Sequence, residues 1–175
     1  MTLSEDYLRA LSAPTEELAI LDDAALAETV AYSRTSPRKR VIKPFHRSLD
    51  EPLHRMLNAV QPGTYVRPHR HVAPPNPESW VLLRGRVVFF TFDDEGRVTH
   101  SVELAAQGPR FGVDLVAGVF HTFVTVEADT VLFEVKSGPY SSTEKAFAPW
   151  APAELDEGVP AYLESLMAAH RERSL

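Results

Sequence analysis

Residues 63–85, GTYVRPHRHVAPPNPESWVLLRG, constrain the fold more than any other stretch of the chain. In an extended strand successive side chains point to opposite faces, so Arg67, His69 and His71 share one face and Arg70 takes the other. A Pro-rich turn at 72–77 follows. A second strand is predicted to begin at Glu78 and to run through Trp80 and Leu82 to a glycine turn at Gly85. Two imidazoles and a carboxylate are thereby aimed from adjacent strands at one point. Another histidine, His121, follows the turn residue Gly118 at the head of a further strand-like run, so that His69, His71, Glu78 and His121 make a candidate set of three imidazoles and one carboxylate. Glu78 stands after a long loop, and its carboxylate either completes the set or orients a ligand histidine.

Imidazole and carboxylate donors suit one divalent ion of iron, manganese, nickel, copper or zinc, whereas an all-oxygen set would suit calcium or magnesium. The chain contains no cysteine, which excludes disulfides, thiolate metal sites and cysteine nucleophiles. On an octahedral ion, four protein ligands leave open positions for water, dioxygen or a chelating ligand. On a tetrahedral one they close the site, which is the signature of structural zinc.

The region around this stretch reads as a β domain. Runs rich in Val, Phe, Leu and Thr at 56–60, 66–71, 79–83, 87–92, 98–104, 111–116, 121–126 and 131–136 alternate with turn signals, as in a barrel or sandwich. DDEG at 93–96 marks a hairpin. With 175 residues and 44% hydrophobic side chains, one core with terminal extensions is expected: a helical extension and basic linker at 1–40, a barrel at 41–150 and a helical segment at 151–175. In the extension Thr15 is a candidate helix N-cap, with Glu16 and Glu17 in the first turn, and Leu18, Leu21, Ala25 and Leu26 recur at helical spacing up to Pro37. This helix is expected to pack on the outside of the barrel or against a second copy, as in a homodimer. SPRKR at 36–40 reads as a solvated linker, and a last helix is predicted from Pro160 to about Arg171.

Eighteen basic against 24 acidic residues give a formal charge of −6 with no long basic run, which argues against a nucleic-acid partner. The acidic N-terminus is unlike a signal peptide, and no apolar run approaches the roughly 18 residues of a membrane span. A cytoplasmic location is the expectation.

The residues resemble the first cupin motif, G-x5-H-x-H followed by E-x6-G, here Gly63, His69, His71, Glu78 and Gly85, with a longer gap before the glutamate. The second motif, P-x-G-x2-H-x3-N, is matched by Gly118 and His121, while Val116 and Thr125 replace its proline and asparagine. RMLNAVQPGTYVRPHRH, FDDEGRV, AGVFHTFV and LFEVKSGPY followed by FAPWAP are similar to the cupin-fold metalloproteins of the WbuC type. That resemblance implies an all-β, cupin-type double-stranded β-helix, a jelly-roll barrel, with an N-terminal helical extension and a short C-terminal helix. It also implies metal binding and an association with surface-polysaccharide biosynthesis.

Other residues are candidates by position. Arg67 shares a face with the histidines and can clamp a carboxylate or phosphate, or close a barrel-mouth salt bridge. Lys136, Tyr140 and Lys145 lie where the last predicted strand leaves the barrel and add positive charge and a hydroxyl for an anionic or sugar-like ligand. His46 and His54 are potential proton carriers. Phe147, Pro149 and Trp150 are expected to cover the barrel's outer face, and His100 and His170 to lie outside the site.

Two classes of function fit. In one, a metal-dependent enzyme binds a sugar or sugar acid and moves a proton as an isomerase or epimerase does, or holds ferrous iron as a dioxygenase does. In the other, a non-catalytic module binds a sugar or sugar nucleotide through a resident metal. The two part on whether an acid or base lies near the metal ligands. Replacing His71 with Ala is expected to abolish metal retention without unfolding the barrel. Elemental analysis beside far-ultraviolet circular dichroism checks this, and full metal occupancy in the variant would contradict the ligand assignment.

Overall fold

A computed structural model describes residues 10–72, 75–141, 143 and 145–173. In chain order its elements are α1 (Asp23–Thr35), β1 (Arg40–Pro44), β2 (Leu53–Val60), β3 (His69–His71), β4 (Glu78–Arg84), β5 (Arg86–Phe92), β6 (Val98–Ala105), β7 (Gly112–Leu115), β8 (Phe120–Thr125), β9 (Thr130–Ser137), β10 (Lys145–Phe147) and α2 (Val159–Arg173). Two antiparallel sheets face each other, one in the order β1-β2-β9-β4-β7 and the other β10-β3-β8-β5-β6. Strands 2, 9, 4, 7 opposite 3, 8, 5, 6 is the jelly-roll order of the cupin-type double-stranded β-helix.

Period-2 alternation builds the layers. Between the sheets pack Val60, Trp80, Leu82, Val87, Phe89, Leu104, Phe123 and Leu132. The other face of the second sheet, with Val88, Phe90, Phe92, Phe120 and Val124, is covered by Leu166 of α2 and by Trp150. The other face of the first sheet, with Val41, Leu57, Ala59 and Val131, is covered by Leu26 and Val30 of α1. Each such Leu, Val or Phe, fully buried, stabilises the fold by roughly 1.5–3 kcal/mol.

Three expectations need correction. The first helix starts at Asp23, and its N-cap is Asp22, whose Oδ1 accepts from Ala25 N at 2.9 Å, rather than Thr15. The carbonyls of Pro14, Thr15 and Glu16 are instead taken by the Arg47 guanidinium, and Leu18 and Leu21 are exposed. Residues 1–9 of the expected extension lie outside the described residues. SPRKR is no solvated linker: Arg38 and Arg40 are half-buried and both bond Glu154, at 2.5 and 2.8 Å, and Arg40 opens β1. Phe147, expected to cover the barrel's outer face, is 52% exposed, whereas Trp150 packs on Phe92 and Phe120.

Gly63 and Gly85, which bracket the histidine stretch, both sit in the left-handed region, at φ +83° and +76°. A Cβ on Gly63 would meet only the flexible end of Lys39, at 2.8 Å, whereas one on Gly85 would lie 2.2 Å from Thr130 Oγ1 and 2.8 Å from Thr130 Cα. Gly63→Ala is therefore expected to destabilise by about 1–2 kcal/mol, the backbone term alone. Gly85→Ala should lose clearly more, because backbone cannot step aside. Urea midpoints compare the two, and equal losses would refute the steric argument.

Candidate metal centre

The second sheet brings the histidines together. β3 and β8 are neighbours with His69 opposite His121 in register, and His71 lies one pleat further on the same inward face. Each of the three offers a ring nitrogen, and these atoms lie within 4.8 Å of one another. Arg70 turns outward, its guanidinium 4.3 Å from the Phe120 ring centroid and bonded to Asp94. From the facing sheet Glu78, the first residue of β4, reaches across: its Oε1 is 2.5 Å from His121 Nε2 and its Oε2 3.7 Å from His71 Nε2. All four side chains are buried.

Backbone carbonyls fix which ring nitrogens face inward. His69 Nδ1 donates to Arg67 O at 3.0 Å, and His121 Nδ1 donates to Val119 O at 2.9 Å. A carbonyl can only accept, so Nδ1 carries the proton and Nε2 of the neutral ring is left with its lone pair. That lone pair on His121 meets the Glu78 oxygen at 2.5 Å without the alignment of a hydrogen bond. A buried ring nitrogen and a carboxylate oxygen this close need a positive charge between them, a proton on Nε2 or a metal ion. Nitrogen and carboxylate donors at one point fit a divalent transition metal, and His69, His71 and His121 form a group that can hold one.

Charge states agree. Burial drives His69 well below the ordinary imidazole value, and nearby Lys145, His121 and His71 push the same way. Burial takes His71 down to about 4, against the opposing pull of Glu78. Burial alone would raise Glu78, but the imidazoles of His121 and His71 outweigh it and hold the carboxyl below its usual range. Burial thus favours the neutral rings of His69 and His71 beside an ionised Glu78 carboxylate, the protonation that metal ligation requires of these three groups.

A cavity of about 510 Å³ opens from this group, with His69 and Glu78 in its wall. Its floor is the inner face of β2, β9 and β4. Register sets His54, Lys136 and Glu78 in one row across the three strands, and Met56, Glu134 and Trp80 in the next. Arg67, Lys136, Tyr140 and Lys145 all line the cavity. Arg67 also serves the scaffold, donating from Nη2 to Ala148 O at 2.7 Å, with its guanidinium 5.7 Å from the Phe147 ring centroid. Lys145, on β10, lies opposite His71. His46 and His54 reach the same cavity as a stacked pair, with centroids 4.1 Å apart and planes 4° from parallel. His54 Nε2 donates to Leu49 O at 3.1 Å. His100 is exposed and bonds Thr91, and His170 bonds Ser101, both outside the cavity.

Glu134 and Asn58 were not among the sequence candidates. Asn58 Nδ2 donates to Glu134 Oε2 at 2.9 Å, and both residues line the cavity. Burial pushes the Glu134 carboxyl up, and the negative charge of Glu78 adds to the push. The signal was present in strand parity, which sets Glu134 on the inward face with Leu132 and Lys136, where a carboxylate is out of place in a core.

No curated protein matches the sequence. A family model described as a domain of unknown function, DUF6016, matches residues 21–104, slightly less than half of the chain. That span includes His69, His71 and Glu78 and stops before His121. Similar solved structures include the oxalate decarboxylase from Bacillus subtilis, at 17% identity over 57% of this chain and 24% of that one, TM-score 0.44. KdgF from Halomonas sp. is 16% identical over 61% of this chain and 84% of that one, TM-score 0.46. The capsular polysaccharide assembling protein CapF from Staphylococcus aureus is 15% identical over 61% and 28%, TM-score 0.47. The chain thus spans about a quarter of the decarboxylase's length.

Proposed function

We propose that this chain is a metal-dependent enzyme that isomerises or epimerises an oxygen-rich small molecule, a sugar or sugar acid. The observation that carries the reading is that one cavity contains both the inward-facing metal-ligand side chains, His69 and Glu78, and groups able to hold or move a proton, His46, His54 and Glu134. Had those groups been remote, a binding module would fit better. A divalent metal held by His69, His71 and His121, with Glu78, would polarise a ligand carbonyl or hydroxyl.

The chain's own residues account for the rest of the work. Lys136 and Lys145 supply positive charge beside the histidines, and Arg67 and Tyr140 add donors at the wall and rim. In the neutral ring His54 presents Nδ1 as a proton acceptor, because Nε2–H is committed to Leu49 O. Glu134, raised by burial, holds a proton more readily than an exposed carboxyl. Trp80, Phe123 and Leu132 form apolar wall, which strengthens every charge interaction within. The WbuC-type sequence resemblance is the sole support for a place in surface-polysaccharide metabolism.

Protein purified without added metal is expected to carry about one transition-metal ion per chain, the load of a mononuclear site. Incubated in D₂O with a panel of sugars and sugar acids, it should introduce deuterium at a carbon next to a carbonyl, followed by proton NMR, without consuming oxygen. Iron-dependent oxygen uptake would make the protein a dioxygenase instead. Tight ligand binding with neither exchange nor uptake would reduce it to a binding module.

A further inference from the structure

Antiparallel pairing sets Phe147 of β10 opposite His69 of β3, so its side chain shares the inward face of the ligand histidines and stands in the cavity wall. Its ring centroid lies 6.1 Å from that of His69 and 5.7 Å from the Arg67 guanidinium, which is itself held by Ala148 O. Neighbours thus fix the ring. It is nonetheless 52% exposed, and Leu49 and Tyr140, which line the same cavity, are 56% and 47% exposed. An inward-pointing aromatic ring left half open beside metal-ligand side chains is apolar surface that a bound molecule can cover. Covering about half of a Phe side chain is enough to tighten binding by about tenfold or more.

The facing sheet is polar where it lines the same cavity. His54 of β2, with Nε2–H on Leu49 O in the neutral ring, offers Nδ1 as an acceptor. Asn58 gives one amide N–H to Glu134 and keeps a second N–H and its carbonyl, and the Glu134 carboxyl has acceptor sites beyond the one that Asn58 fills. Donors and acceptors are therefore mixed. A hydroxyl both donates and accepts and matches such a mixture, whereas a hydrocarbon or aryl ligand would leave these groups unpaired. A molecule lying between the two sheets needs hydroxyls toward one and a C–H surface toward the other. A pyranose chair has both, with hydroxyls around its edge and ring C–H bonds on a face. An open-chain polyol turns hydroxyls to every side and loses more torsional freedom on binding.

On the reading of the cavity as a sugar site, we infer that it takes the sugar as a closed pyranose ring, with a C–H face on Phe147 and hydroxyls on His54, Glu134 and Asn58. A closed ring has no free aldehyde, so the proton moved in the proposed reaction lies next to a carbonyl carried on the ring, which is epimerisation rather than aldose–ketose isomerisation. Isothermal titration of the protein as purified with its metal tests the ring preference on matched pairs: methyl β-D-galactopyranoside with galactitol, methyl β-D-glucopyranoside with glucitol, and methyl α-D-mannopyranoside with mannitol. At least one pyranoside should bind about tenfold or more tightly than its alditol. Phe147→Ala should erase that preference without weakening the alditol, and Phe147→Trp should keep it. If Phe147→Ala does not fold, Phe147→Thr, a better strand former without the ring, carries the same comparison. Absence of pyranoside binding, equal binding within every pair, or a preference that survives loss of the ring overturns the inference. Solvent deuterium incorporation into free sugars, followed on the same samples, separates this from the catalytic reading. A Phe147-dependent ring preference without incorporation supports the aromatic platform and leaves a binding module. Incorporation without ring preference removes the platform and leaves the enzyme standing.

Discussion

An imidazole can hold a metal only through a nitrogen that carries no proton, and here backbone carbonyls decide which nitrogen that is. Arg67 O and Val119 O each lie two residues before the histidine they bind, so the local chain path sets the tautomers of His69 and His121. The consequence reaches across the barrel. With Nδ1–H pinned, His121 Nε2 has to face the Glu78 carboxylate, and a buried pair at 2.5 Å is tolerable only with a proton or a metal ion between the two atoms. Burial adds to this arrangement by lowering the proton affinity of His69 and His71, and the neighbouring His121 and His71 hold the Glu78 carboxyl below its usual range.

The sheets convert that local chemistry into a site. Because β2, β9 and β4 pair in register, a polar side chain on one strand is forced beside the inward side chain of the next, and His54, Lys136 and Glu78 cannot avoid sharing a row. A slip of one residue in β9 would turn Glu134 and Lys136 out of the cavity and bring Phe133 and Val135 in. Register is held against such a slip by the outer face, where Val131 is fully buried under α1 with Leu57 and Ala59.

Much of this is legible in the sequence, and the parts that are not share a cause. Strand parity, the histidine spacing and the punctuating glycines are local signals, and they place His69, His71 and Glu78 without help from distant chain. β1 and β10 are not local: RVIKP is a strand because it pairs with β2, and KAF because it lies against β3. Arg38 and Arg40 look solvated in sequence because their partner, Glu154, is more than a hundred residues away. The helix start was misplaced because Thr15 and Asp22 are both acceptable caps locally, and the choice falls to burial: Leu26, Thr29, Val30 and Ser33 form a buried face, whereas Leu18 and Leu21 upstream of Asp22 are exposed. Glu134 was readable from parity but passed over within a strand otherwise rich in apolar residues.

The placement of the core explains how the barrel tolerates this many buried polar groups. Along the inner face of the first sheet polarity falls from one end to the other: His54, Lys136 and Glu78 in the first row, Met56, Glu134 and Trp80 in the second, and Asn58, Leu132 and Leu82 in the third. Only the far end of the interior is packed as an ordinary core, around Val60, Leu82, Leu104 and Leu132. A jelly roll with both outer faces bare would have to draw its stability from that interior, and a cavity there would be a serious loss. Here α1 and α2 give each sheet a second apolar face, so Leu57, Ala59 and Val131 on one side and Phe90, Phe92 and Val124 on the other are buried without touching the cavity. The helices thus do more than decorate the barrel. By moving much of the apolar burial outside it, they allow one end of the interior to stay open and polar, with His69, His71, His121 and Glu78 gathered there.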